Sequence, residues 1–234
     1  GAIALVTTLA SAQTAGAQAT PEGTVITNTA SASYTDANGN TYANATASVS
    51  VTVGFAAGVD VVSPATVSPA SPSSSNSQAF TINNTGNGND TVTVAVSAAA
   101  GLTNVSYTYN ATNYATLALL NAALPVMTSG GSIVVSVNYD VASGRGGQTL
   151  PITLTATSRR TNTVSDASTT NVTPATLGSV AVTPDGASVD QLPSNGTQYS
   201  QVFPVQNTGN ASDVYNLAAS LNAGTAITIV SVNG

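Results

Sequence analysis

Valine and isoleucine alternate with threonine and serine along most of this chain, and a period of two selects extended strands as its building element. Val49, Val51 and Val53 alternate with Ser48, Ser50 and Thr52, and Val92, Val94 and Val96 with Thr91, Thr93 and Ala95. Ile133, Val135, Val137, Tyr139 and Val141 form a longer apolar row against Ser136, Asn138 and Asp140. Leu150, Ile152, Leu154 and Ala156 form another against Thr153, Thr155 and Thr157. One apolar face and one hydroxyl-bearing face per strand suits antiparallel sheets stacked on a shared core. Asp36-Ala37-Asn38-Gly39-Asn40 and Ser158-Arg159-Arg160-Thr161-Asn162 each separate two such runs and predict hairpin turns. One stretch, Tyr114 to Leu124, has Leu117, Leu120 and Leu124 at helical spacing. With Asn113 as cap and Pro125 as stop, it predicts a short crossover helix. The expected class is all-β, tandem antiparallel β-sandwiches with that one helix.

The chain repeats itself. Phe80-Thr81-Ile82-Asn83-Asn84-Thr85-Gly86-Asn87 recurs as Phe203-Pro204-Val205-Gln206-Asn207-Thr208-Gly209-Asn210, and Asp213 follows as Asp90 does, all 123 residues on. Gly58 to Pro64 matches Gly178 to Pro184 at a spacing of 120. Ile26 to Val53 resembles a later hairpin, Ile152 to Val172, and Gly234 corresponds to Ala111. The expected organisation is therefore an apolar arm or signal remnant (1–19), a hairpin resembling the closing half of a repeat (20–57), a complete sandwich (58–174) and the opening half of a second (175–234). The Pro- and Ser-rich segment Ser63 to Ser77 reads as an irregular edge strand within the complete unit.

Half a sandwich exposes an apolar face and an unpaired strand edge. Two arrangements relieve this: the chain continues past Gly234, or the opening half of one subunit receives strands from the N-terminal segment of the next, head to tail. Within the arm, Ala2 to Ala10 is too short to span a membrane, which takes ~20 apolar residues. It reads either as the apolar region of a secretory signal ending at Ala17-Gln18-Ala19, or as an arm whose Ile3, Leu5, Val6 and Leu9 dock on another chain. Ten extended residues reach ~33 Å, enough to cross a sandwich. Both readings place the protein outside the cell or at its surface.

The Phe80 to Val96 stretch (FTINNTGNGNDTVTVAV), its echo at Phe203 to Leu217, the opening Ala57 to Val61 and the hairpin Ile26 to Tyr34 resemble the conserved-repeat immunoglobulin-like domains of bacterial surface proteins. The resemblance covers most of Thr20 to Gly234. It implies export, tandem immunoglobulin-like sandwiches, and a place in stalks, surface layers or fibres.

Chemistry is limited by what the chain lacks. It has no His, Cys or Lys, so the commonest general base, the thiolate nucleophile, the Schiff-base amine and the usual soft metal ligands are missing. An enzyme is not expected, nor a cofactor. Three arginines against nine acidic residues, a net charge of -6, argue against nucleic acid as a partner. The single Gly144-Arg145-Gly146-Gly147 reads as a hairpin loop rather than as an RNA-binding segment. Calcium is the one ion with oxygen-rich loops, at Asp36, Asn38 and Asn40 and at Asn87, Asn89 and Asp90. Neither loop has the Glu at position twelve, and Asx turns explain both. Glycans are possible at the sequons of Asn44, Asn83, Asn89, Asn104, Asn110, Asn171, Asn195 and Asn210, and would solubilise a surface poor in charge. The eight tyrosines could form a sugar-stacking platform, but most sit at alternating positions suited to core or cross-strand pairs. The first functional expectation is an extracellular structural subunit that joins copies of itself into a filament, fibre or surface layer. The alternative is a stalk segment of an adhesin that binds carbohydrate or protein.

Overall fold

A computed structural model describes residues 19–186 and 201–220. The docking arm with Ile3, Leu5, Val6 and Leu9, the sequon at Asn195 and the end of the second unit lie outside the described residues. The strands are β1 (Val25–Ala32), β2 (Ala45–Thr52), β3 (Val59–Val62), β4 (Ser73–Asn84), β5 (Val92–Ala98), β6 (Leu102–Tyr109), β7 (Thr112–Tyr114), β8 (Ser132–Val141), β9 (Leu150–Ser158), β10 (Ser165–Val172), β11 (Val180–Val182) and β12 (Val205–Asn207). One helix, α1 (Leu117–Ala123), lies between β7 and β8. All ladders between these strands are antiparallel.

Strands β3 to β10 build one immunoglobulin-like sandwich from a five-stranded sheet, β3-β4-β8-β6-β7, and a three-stranded sheet, β10-β9-β5. The alternating rows close its core: Phe80 and Ile82 from β4, Val92 and Val94 from β5, Val135, Val137 and Tyr139 from β8, and Ile152, Leu154 and Ala156 from β9 are buried. Their threonine and serine neighbours face outward, where the branched Cβ suits a pleated, half-solvated surface.

Helix α1 starts later than its leucine spacing predicts. Thr112 to Tyr114 instead pair with β6 across a tight turn in which Asn110 and Ala111 both take positive φ, and Thr116 caps the helix by accepting from Leu119 N. Asn113, the expected cap, donates from its side chain to Ser106 Oγ. Leu120 fills the core, and Asn121 bonds both the N–H and the C=O of Val94, covering part of the free edge of β5.

Ser63 to Ser77 does not form one irregular edge strand. Val67 makes a lone parallel bridge to Val172, whereas Ser73 to Ser77 open the long strand β4 and pair with β8 alone, because the ladder to β3 reaches only Thr81 to Asn84. Strands β4 and β6 each change register against β8, near Ser75 and Asn104, both at positive φ. Asp140 of β8 ties the two irregularities together, accepting from Ser75 N at 2.9 Å and Asn104 Nδ2 at 2.7 Å.

Candidate functional site

The repeated Asn-Thr-Gly-Asn turn holds the chain where one unit passes into the next. Asn87 accepts from Ala56 N at 2.7 Å and donates to Gly54 O at 2.8 Å and Thr20 O at 3.1 Å. Asn210 repeats the arrangement, accepting from Leu177 N at 2.7 Å and donating to Ala175 O at 2.9 Å. Both residues are buried. The first asparagine of the turn stiffens it: Asn84 accepts from Gly86 N and donates to Gly88 O, and Asn207 does the same to Gly209 N and Ala211 O. The glycine between is required by close approach. A Cβ on Gly86 would stand 2.6 Å from Ala56 O, and one on Gly209 2.5 Å from Leu177 O.

Each turn also grips the loop in front of a closing hairpin. Glu22 N donates to Asn87 O and Gly23 N to Val53 O, while Gly146 N donates to Asn210 O and Gly147 N to Pro174 O. The β1–β2 hairpin thus stands to the first clamp as β9–β10 stands to the second. Arg145, in a loop read from sequence as a bare hairpin, lies beside the second clamp.

This shared frame corrects two alignments made from residue identity. Val59 pairs with Asn84 and Val180 with Asn207, so Gly58 stands at Ser179 and not at Gly178. In the hairpins Ile26 pairs with Val51 as Leu150 pairs with Val172, so Ile26 matches Leu150 rather than Ile152. Matching Gly with Gly, or Ile-Thr with Ile-Thr, shifted the register that the hydrogen bonds set.

The first clamp carries a latch that sequence reasoning missed. Arg160 binds Glu22 through both carboxylate oxygens at 2.6 Å, donates to Asn89 O, and lies 3.5 Å over the Phe55 ring. No local signal reveals it, because 138 residues separate the partners. The hydrogen bond from Arg160 holds the Glu22 carboxyl below its ordinary value, against an opposing effect of desolvation. A lowered carboxyl pKa stabilises above the ordinary value and loses that contribution as pH falls through the lowered one. The expected result is loosening of the Glu22–Arg160 contact only as pH falls through that lowered value, beneath the ordinary carboxyl value of 4.5, followed through the Arg160 guanidinium resonances. A Glu22→Gln variant should show no such step.

The remaining candidates do not converge. Asp36 accepts from Asn38 N and Asn40 N through one oxygen, and from Asn40 Nδ2 and Tyr42 O–H through the other. Those bonds, led by the Asn40 side chain, lower its carboxyl to about 2 and direct both oxygens into its own turn. In the second loop, Asn87 serves the clamp while Asp90 turns inward to Ser158 Oγ and Asn89 is exposed. Among the described residues no group of three or more acidic, His or Cys side chains is placed to hold a metal.

Of the described sequons, Asn44, Asn89, Asn104 and Asn110 are exposed. Asn83 and Asn104 donate to Asp60 and Asp140, Asn171 is half-buried, and Asn210 is enclosed in the clamp. Tyr107 and Tyr139 belong to the core, whereas Tyr34 and Tyr42 stack in the open at the tip of the first hairpin, centroids 4.6 Å apart. Among the described residues no helix is long and apolar enough to cross a membrane.

No protein-family model matches the chain, and no curated protein matches it. Among solved structures, a zebrafish RET structure of cadherin-like domains 1 to 4 is similar at 8% identity with a TM-score of 0.25. The match covers 64% of this chain and 33% of that one, so the chain spans about a third of its length. Similarity this remote carries no argument about function.

Proposed function

We propose that the protein is a non-enzymatic extracellular structural subunit whose copies join head to tail by completing one another's partial sandwiches. The reading rests on one observation: positions that form the core of the complete unit stand open in the partial ones. Phe80 is 0% exposed and its repeat Phe203 54%; Leu150 is 5% exposed and its counterpart Ile26 48%. At about 25 cal/mol per Å² of apolar surface removed from water, covering these two faces favours association. The clamps give the joined units a defined entry geometry, because their partners are backbone groups fixed by a rigid turn. The N-terminal arm would add to the same junction.

Electron microscopy and sizing of the purified chain test this. The expected outcome is particles that lengthen with concentration, and shorter ones when residues 1–19 are removed. A chain that stays monomeric at every concentration while binding immobilised sugars would favour the adhesin-stalk reading, for which the stacked Tyr34 and Tyr42 offer a surface.

A further inference from the structure

In the complete unit, strand β9 is flanked by β10 on one side and β5 on the other. Strand β1 has the β10-like partner, β2, but its other edge is unpaired in the described structure. We infer that this edge takes residues 215–220 of a second copy, in the register that joins β5 to β9. The inference rests on the head-to-tail reading above and adds the strand and register of the contact.

Three observations carry it. The occupant's kind is set by the repeat, since residues 215–220 follow Asn210 and Asp213 as β5 follows Asn87 and Asp90. These residues form no strand in the described structure, and Leu217 is 43% exposed where Val94 is 2%. The receiving face is set by the outer hydroxyl pairs. Thr27 and Ser50 bond at 2.7 Å on β1–β2 as Thr153 and Thr169 do on β9–β10, leaving Ile26, Ala30, Ala32, Val49 and Val51 on the inner face. Only Asn28, at the place of Ile152, departs from the apolar pattern on β1. The register then follows from the observed ladder, in which Val92 faces Ser158, Val94 faces Ala156 and Val96 faces Leu154. Carried over, Tyr215 faces Tyr34, Leu217 faces Ala32 and Ala219 faces Ala30. Leu217 meets an alanine as Val94 does, and Tyr215 extends the Tyr34–Tyr42 stack.

Because the chain has no cysteine, the register can be read by disulfide trapping between copies. Full-length single variants are mixed in pairs under mild oxidation: A32C with L217C, A30C with A219C, and A32C with A218C as the slipped control. All five positions are exposed, so each variant should fold. Facing Cα atoms across a ladder lie within disulfide range, so the first two pairs should give about tenfold more linked dimer than the control. Assembly by microscopy with no preference over the control overturns the register and leaves the head-to-tail reading standing. Monomers throughout, with no linked dimer from any pair, overturn both.

Discussion

Replacing Phe80 with alanine is expected to cost the complete sandwich about 3–5 kcal/mol, whereas Phe203→Ala in dilute chain changes unfolding by less than about 0.5 kcal/mol. The two phenylalanines open the same motif. Phe80 is enclosed between β4's neighbours and the facing sheet, so truncation removes buried apolar area and leaves a cavity that rigid strands cannot close. Phe203 stands mostly in water, so its removal takes away little that folding had gained. Denaturant unfolding of both variants measures the contrast, read at constant slope against denaturant. Under the proposed assembly the ranking changes: Phe203→Ala should shift the concentration at which particles lengthen, because a joined unit would bury its ring. Equal losses of stability from the two substitutions in dilute chain would show that Phe203 already has a core of its own.

The second large effect is expected at the first clamp. Asn87→Ala removes one acceptor and two donors from a buried site, leaving Ala56 N–H and the carbonyls of Gly54 and Thr20 without their partner. A buried group left unsatisfied costs about 1–3 kcal/mol, and water entering the opened turn offsets part of the sum. Local opening should therefore become about 2–4 kcal/mol easier, which amide exchange at Gly23 and Ala56 would report as a rise on the order of 10²-fold. Amides of β8 and β9 should keep their protection, since Asn87 contributes to the passage between units and not to the sandwich core. Asn87→Asp retains the acceptor for Ala56 N but turns a carboxylate oxygen toward the Gly54 and Thr20 carbonyls, so it should not restore the protection of the native asparagine. Unchanged exchange at Gly23 in the alanine variant would remove the clamp from the account.

Much of the architecture was legible because strand faces are a local property. The inward rows Ile133 to Val141 and Leu150 to Ala156 were read from alternation alone, and their buried members are the ones predicted. The Asn-Thr-Gly-Asn repeat was legible as letters. Its role was not, since it depends on three backbone groups that arrive from elsewhere in the chain. The helix shows a second limit: leucine spacing located Leu117, Leu120 and Leu124, but Thr112 to Tyr114 follow β6, where a two-residue turn at positive φ outweighs any helical preference.

By itself the sequence determined the β class, the inward faces, the repeat and the absence of His, Cys and Lys chemistry. Tertiary structure decided the register of the repeats, the joining of Glu22 to Arg160, and which copy of each apolar motif is covered. The physical reason is range. Alternation and turn preference act between neighbours along the chain, whereas a hydrogen-bond register and a buried face exist only once distant strands have met.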